Sequence, residues 1–318
     1  MAVIENAKLT VVGAGAVGSA TAYASLIRGA ARQVALYDID AARVEAETLD
    51  LAHGALFTGS SQVTGSADIA VTEGSHVVIV TAGAAQRPGQ TRLELIGTNA
   101  RIFRTMIPQL VEASPDAVFV IVTNPCDVLT LLAQEQTGLP PERIFASGTV
   151  LDTSRLRWRL AERVGVAARS IHANIVGEHG DTEFPLWSSA SVGPVPLSEF
   201  AARGADPLTR DELDRIAQEV RTAAYKVIEG KGATNYAIGL SATRIAEAVL
   251  RDERGVLPVS TVLDDFHGLS GVALSVPSIV GSSGAFPIRE TCFSDEELAL
   301  LHASADTIRA TADQVREG

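Results

Sequence analysis

A glycine-spaced turn near the start of the chain, Val11-Val12-Gly13-Ala14-Gly15-Ala16-Val17-Gly18, limits the fold more than any other segment. It joins an apolar run at 9–12 to a helical pattern over 17–28. In such a strand–turn–helix unit the first glycine permits the bend, the second lets backbone approach a phosphate, and the third lets the helix pack on the strand. The helix N-terminus then faces the anion. Gly13, Gly15 and Gly18 fit those three tasks. The spacing is weak evidence by itself, and the flanking strand and helix give it meaning.

The same rhythm continues downstream. Runs that read as buried strands at 9–12, 34–37, 77–81, 118–122 and 144–147 alternate with helical patterns at 17–28, 41–53, 92–114 and 127–137. The last helix is stopped by Gly138 and Pro140-Pro141. Short apolar runs separated by amphipathic helices are the mark of parallel βαβ units. The expected fold class is therefore α/β, with a doubly wound parallel sheet of Rossmann type over residues 1–148 and a mixed α+β domain over 149–318. In the second part the pattern predicts a helix at 154–164, strands at 171–176 and 188–192, and helices at 209–229 and 236–251. Antiparallel strands follow at 256–263, 272–280 and 285–288. A final helix over 294–317 has Ser294 as N-cap and Glu297 three residues on, the spacing of a capping box.

Charge and cysteine usage exclude several classes of function. The 26 Lys and Arg are outnumbered by 38 Asp and Glu, for a formal net charge of -12. No basic run occurs, so neither nucleic acid nor an anionic membrane is an expected partner. Cys126 and Cys292 are far apart and form no disulfide or ligand pattern. No metal site is expected, and a reducing cytoplasm suits the chain best. No stretch approaches the roughly 18 uninterrupted apolar residues of a membrane span, and residues 1–8 lack the pattern of a signal segment. The expectation is a soluble, unprocessed, cytoplasmic protein.

An acid twenty residues beyond Gly18, Asp38, stands at the end of the run 34–37. That is where a carboxylate bonds the adenosine ribose hydroxyls of a dinucleotide, and it favours NAD over a cofactor with a 2′-phosphate. Arg43, close by, is a further candidate contact with the cofactor and partly offsets that preference. The bland reading of Asp38 is a solvated strand-end acid.

The chemistry is carried by two segments, Leu151-Asp152-Thr153-Ser154-Arg155 and Gly177-Glu178-His179-Gly180-Asp181. Reducing a ketone by hydride needs a proton for the nascent alkoxide, and histidine is the side chain best matched to giving one near neutrality. His179, between glycines, has the best claim of the six histidines. A carboxylate that fixes its tautomer and favours its protonated form would complete it, and Asp152 is the candidate. Asp152 reads equally as a helix N-cap, and the two roles are compatible. Arg155, three residues on, offers a planar fork for a substrate carboxylate. Arg92 ends the polar run 83–91, the kind of loop that closes over a ligand, although alone it reads as a solvated residue at a helix start.

With these residues in hand, the sequence resembles the L-lactate/L-malate dehydrogenase superfamily over essentially its whole length, most closely its bacterial L-lactate dehydrogenases. The resemblance rests on the glycine turn, Thr81-Ala82-Gly83-Ala84, Thr123-Asn124-Pro125 and the two segments just named, in that order. It implies NAD as cofactor and pyruvate with L-lactate as the substrate pair. It further implies that His179 gives and takes the proton, Asp152 is its partner, Arg155 anchors the substrate carboxylate and Arg92 polarises the carbonyl. Asn124 would touch substrate and cofactor, Thr234 would line the pocket, and Val17, Asp38, Gly83, Ala84, Val122 and Ser147 would help to hold NAD.

Within that family the position of Gln86 separates substrates, since malate dehydrogenases carry an arginine there to pair a second carboxylate. An uncharged amide would leave such a charge uncompensated, so Gln86 points to pyruvate. The resemblance also implies a homotetramer in which Arg157 and His172 bind fructose bisphosphate as an activator. Cys126 stands where the family often has valine and reads as a small apolar substitute. The rival readings are a malate or broad-range L-2-hydroxy acid dehydrogenase and, from another class, an NAD-binding module without turnover.

Overall fold

Val77, Val78, Ile79 and Val80 have no exposed surface. A strand apolar on both faces has to lie between two layers of helices. The computed structural model describes residues 4–59, 61–84, 92–201 and 206–317, with only the backbone described at 92, 93 and 317. It places that strand, β4 (Val77–Val80), inside a nine-stranded sheet. The parallel part runs in space as β3 (Gln62–Ser66), β2 (Gln33–Tyr37), β1 (Lys8–Val12), β4, β5 (Val118–Ile121) and β6 (Ile144–Ala146). This order, 3-2-1-4-5-6, reverses direction between β1 and β4, and the crevice outside the strand ends there is where such sheets bind ligands.

Alternation along β4 shows how the layers form. Val78 and Val80 face a core with Ile96, Phe103, Ile107 and Leu110 of α3 (Arg92–Ala113), Leu129 of α4 (Cys126–Thr137) and Leu301 and Ile308 of α8 (Asp295–Glu317). Val77 and Ile79 face Ile245 and Val249 of α7 (Tyr236–Leu250). A third cluster packs Leu26 of α1 (Ala16–Arg28) and Val44 of α2 (Ala41–His53) on Val34 and Leu36. Each fully buried aliphatic or aromatic side chain contributes about 1.5–3 kcal/mol, and truncating Phe103 to alanine would cost about 3–5 kcal/mol.

The sheet does not stop where the parallel strands do. Ser260 of β12 (Gly255–Val262) pairs antiparallel with Ala146 of β6, and β13 (Ala273–Gly281) and β14 (Gly284–Pro287) extend the same sheet. Beside it, α5 (Val150–Val164) and α6 (Arg210–Lys231) bury Leu156, Leu160, Ile216 and Val220 against Ile171 of β7 (Ile171–His172) and Val192 of β10 (Ser191–Val192). Two short strands complete small ladders there: β11 (Val195–Pro196) pairs with β10, and β8 (Ile175–Val176) with β9 (Phe184–Pro185). The capping box expected at the last helix is present: Glu297 Oε2 accepts the Ser294 amide at 2.8 Å and Ser294 Oγ accepts the Glu297 amide at 3.2 Å.

Four local expectations are corrected. The stretch 171–176 is two strands in different sheets, because Arg157 takes the Ala173 carbonyl and the Asn174 side chain between them. The stretch 188–192 opens as a 3-10 turn, Trp187–Ser189, whose Ser188 amide goes to Glu297. The helix expected from 154 begins at Val150 with Thr149 as N-cap, so Asp152 is not the cap. Strand β3 was not expected at all, being a polar edge strand with none of its five residues buried.

Candidate active site

The glycine turn is built by close approach. Gly13 has φ +100°, and a Cβ there would sit 2.8 Å from the Ala82 nitrogen. A Cβ on Gly18 would lie 1.7 Å from the Gly13 carbonyl oxygen, so helix and turn meet only through glycine. A Cβ on Gly15, the N-cap of α1, would meet nothing within 4 Å. Gly15 therefore opens onto space a ligand can take. That space is a cleft of about 500 Å³ lined by Gly13, Gly15, Asp38, Ile39, Arg43, Gly83, Ala84, Met106 and neighbours, at the β1–β4 reversal.

The groups around this cleft suit a dinucleotide. The first turn of α1 holds no acid to oppose a phosphate, and the positive end of the helix dipole points outward there. Asp38 sits at the end of β2 on the cleft wall, and Ile39 beside it is 86% exposed, an apolar surface available to a planar base. Val17 packs behind the turn against the second core. Val122 and Ser147 follow the C-terminal ends of β5 and β6, their amides bonded to Val80 and Ile121 carbonyls. Asn99, which sequence reasoning missed, accepts the Ala84 amide at 2.7 Å and donates to the Asn124 carbonyl at 3.0 Å, tying the Gly83-Ala84 edge to Asn124.

The second cluster lies on three elements. Gly177, with φ +92°, exchanges both backbone bonds with Ser275 of β13 at 2.9 Å. The His179 amide then donates to Asp127 Oδ2 at the start of α4 at 2.7 Å. The ring Nδ1 lies 2.8 Å from Asp152 Oδ2 in the first turn of α5, and the other oxygen of Asp152 accepts from Arg155 Nη1. Asp152 is 3% exposed and the His179 side chain 27%, so the ring has its partner inside and its open side toward solvent.

Charge follows from these contacts. Burial alone would lower the His179 pKa, but the charge and hydrogen bond of Asp152, with Glu183 and Asp127, raise it to about 9. Burial works against the charged form of Asp152, yet His179 and Arg155 hold it below the usual carboxylate range. Asp127 is pushed up to about 6, mainly by burial. The arrangement can store a proton on an imidazole and present a guanidinium beside it.

Asp127 and Glu183 were not anticipated from sequence. Thr234 lies half-buried between α6 and α7. The Arg157 guanidinium is bonded to the Ala173 carbonyl and Asn174, while His172 is exposed on β7. Cys126 is buried in the main core, as its reading as an apolar substitute expects. Gln86 lies outside the described residues, and Arg92 begins α3 with its side chain outside them.

Comparison with known proteins places this geometry among relatives. The lactate/malate dehydrogenase NAD binding domain matches residues 7–146, and the lactate/malate dehydrogenase alpha/beta C-terminal domain matches residues 149–317. The L-lactate dehydrogenase of Bifidobacterium animalis subsp. lactis is 48% identical over 312 residues, 98% of each chain. That of Thermus aquaticus is 46% identical over 305 residues, covering 96% of this chain and 98% of the other. The crystal structure of the minor L-lactate dehydrogenase from Enterococcus mundtii superposes with a TM-score of 0.93 at 38% identity, over 98% of each chain.

Proposed function

Because the chain belongs to the lactate/malate dehydrogenase family, we propose that it interconverts pyruvate and L-lactate with NAD as hydride carrier. One observation carries the chemistry: the His179 ring bonded at Nδ1 to a buried Asp152 that also holds Arg155. When bound, the cofactor would supply the hydride as NADH or accept it as NAD. With Nδ1 directed at Asp152, Nε2 of His179 is the atom that delivers a proton to the keto oxygen, or takes one from the hydroxyl in the reverse direction. Arg155 grips the substrate carboxylate with its planar fork. Arg92 polarises the carbonyl, and Asn124 and Thr234 shape the pocket. Gly13, Gly15, Gly18, Asp38, Arg43, Gly83, Ala84, Val122 and Ser147 hold the cofactor.

Pyruvate is preferred over oxaloacetate on the strength of Gln86, which brings no charge to a second carboxylate. Steady-state NADH oxidation with each keto acid tests this. A kcat/KM for oxaloacetate above that for pyruvate would turn the reading to malate dehydrogenase, and no turnover with either would leave a binding module.

The reading extends to a homotetramer activated by fructose bisphosphate. Tyr23, Ile27, Leu49, Leu56, Phe57, Tyr236 and Leu240 are all at least half exposed, and Tyr23, Ile27, Phe57 and Tyr236 line one hollow, the kind of contiguous apolar surface that a partner subunit covers. Arg157 holds the carbonyl next to the exposed His172, so a guanidinium and an imidazole flank one segment that symmetry would duplicate. Sedimentation and pyruvate kinetics with added fructose bisphosphate check both claims, and a monomer indifferent to it would overturn them. Among the described residues no helix is long and apolar enough to cross a membrane. The cytoplasmic assignment rests on two free cysteines, Cys126 and Cys292.

A further inference from the structure

Glu183 is 4% exposed, and a carboxyl oxygen of it, an Asp152 oxygen and a His179 ring nitrogen all lie within 4.8 Å of one another. Its main chain is fixed on both sides: the amide donates to the Gly180 carbonyl at 3.3 Å and the carbonyl accepts from Arg221 Nη2 of α6 at 2.9 Å. Among the described residues no hydrogen bond reaches the carboxyl. A largely buried carboxyl is costly to keep charged, and the proton transfer described above assigns it no step. The charged groups acting on it are Asp152 and Arg155 from α5, His179 from its own loop and Arg221 from α6. Asp127, at the start of α4, acts on the same imidazole.

We infer that Glu183 is a positioning residue for proton transfer: its carboxyl, lying against the His179 ring and Asp152, sets the pH at which that ring takes up and releases its proton. The inference rests on His179 being the proton carrier. Burial and the negative charge of Asp152 raise Glu183 to about 8, and the Glu183 charge in turn raises His179. Where Glu183 is ionised, its charge beside the ring holds the proton there to higher pH. A neutral amide has no such pull. An opposite charge at roughly 4–6 Å moves a titration by about one pH unit or more.

The test is a pair of pH profiles, pyruvate reduction and lactate oxidation, for the wild-type protein, Glu183→Gln and Glu183→Asp. In Glu183→Gln the falling limb of reduction and the rising limb of oxidation should move together to lower pH by about one unit. Glu183→Asp, which keeps the charge, should recover most of that displacement. Equal losses at every pH with both limbs unmoved would make Glu183 a packing residue and overturn the inference. A ring-carbon NMR titration of His179, assigned by its loss in His179→Asn, needs no Glu183 variant. In the wild-type protein it should report the ionisation of Glu183 as an inflection separate from that of the ring itself, and a single inflection would also count against the inference. A His179 signal that fails to follow the wild-type kinetic limb would instead sink the assignment of His179 as proton carrier.

Discussion

The Ala14 amide donates to Asp38 Oδ2 at 2.7 Å, and the Asp40 amide to Oδ1 at 2.9 Å. The carboxylate proposed above for the cofactor's ribose therefore also ties the glycine turn to the end of β2. Replacing it removes a ligand contact and loosens the turn together. Hydrogen bonds to a charged group contribute about 1.5–3 kcal/mol each. NADH affinity, followed by fluorescence titration, is expected to fall at least about 10-fold in Asp38→Ala. An unchanged dissociation constant would remove Asp38 from the cofactor site.

The glycines of the turn should separate folding from binding. Gly18→Ala puts a methyl 1.7 Å from a backbone oxygen and is expected to lower the melting temperature or prevent folding. Gly15→Ala puts its methyl into open space, so the melting temperature of the free protein should hold while NADH binding weakens. Thermal melts with and without NADH read both, and a Gly15→Ala protein that binds NADH normally would argue against phosphate at that amide.

Two substitutions distinguish proton transfer from anchoring. His179→Asn should lower kcat for pyruvate reduction by about 10²–10⁴ with NADH affinity retained. Arg155→Lys should act chiefly on KM for pyruvate, raising it about 10- to 100-fold, since an ammonium cannot reproduce the fork. Steady-state kinetics on both variants would show whether the effects divide in this way, and an unaltered KM in Arg155→Lys would dismiss that residue as anchor.

The alkaline limb has a definite sign. With His179 raised to about 9 as the proposed proton donor, pyruvate reduction should decline about tenfold per unit above pH 9, while lactate oxidation, which needs the neutral ring, should rise up to about pH 9 and level off above it. Linkage runs the same way. A histidine held above its ordinary 6.5 contributes stability that is complete below pH 6.5 and is lost as pH rises through about 9. Urea unfolding at pH 6, 8 and 10 should give a falling midpoint, steeper than in His179→Asn.

Much of this was legible in the sequence because it is local. Glycine spacing specifies its turn, the alternation of short apolar runs with amphipathic helices specifies a parallel sheet, and Asp152 and Arg155 are three apart on one helix. What stayed hidden depends on segments distant in sequence. Asp127 holds the His179 amide from 52 residues away, and Asn99 bridges Ala84 and Asn124 from inside a helix whose pattern gives no hint of it. Glu183 looks like any polar residue of a loop until the fold buries it. Strand β3 was missed because its register depends on pairing with β2 rather than on an apolar pattern of its own.

The pairing of Ser260 with Ala146 has a practical corollary for anyone dividing this molecule. A break in the chain at 147 or 148 would leave each fragment with a raw margin of unmet amides and carbonyls, the kind of border that seeks another strand. Neither piece is expected to be well behaved in isolation, whereas the two mixed during refolding should reassociate along that seam.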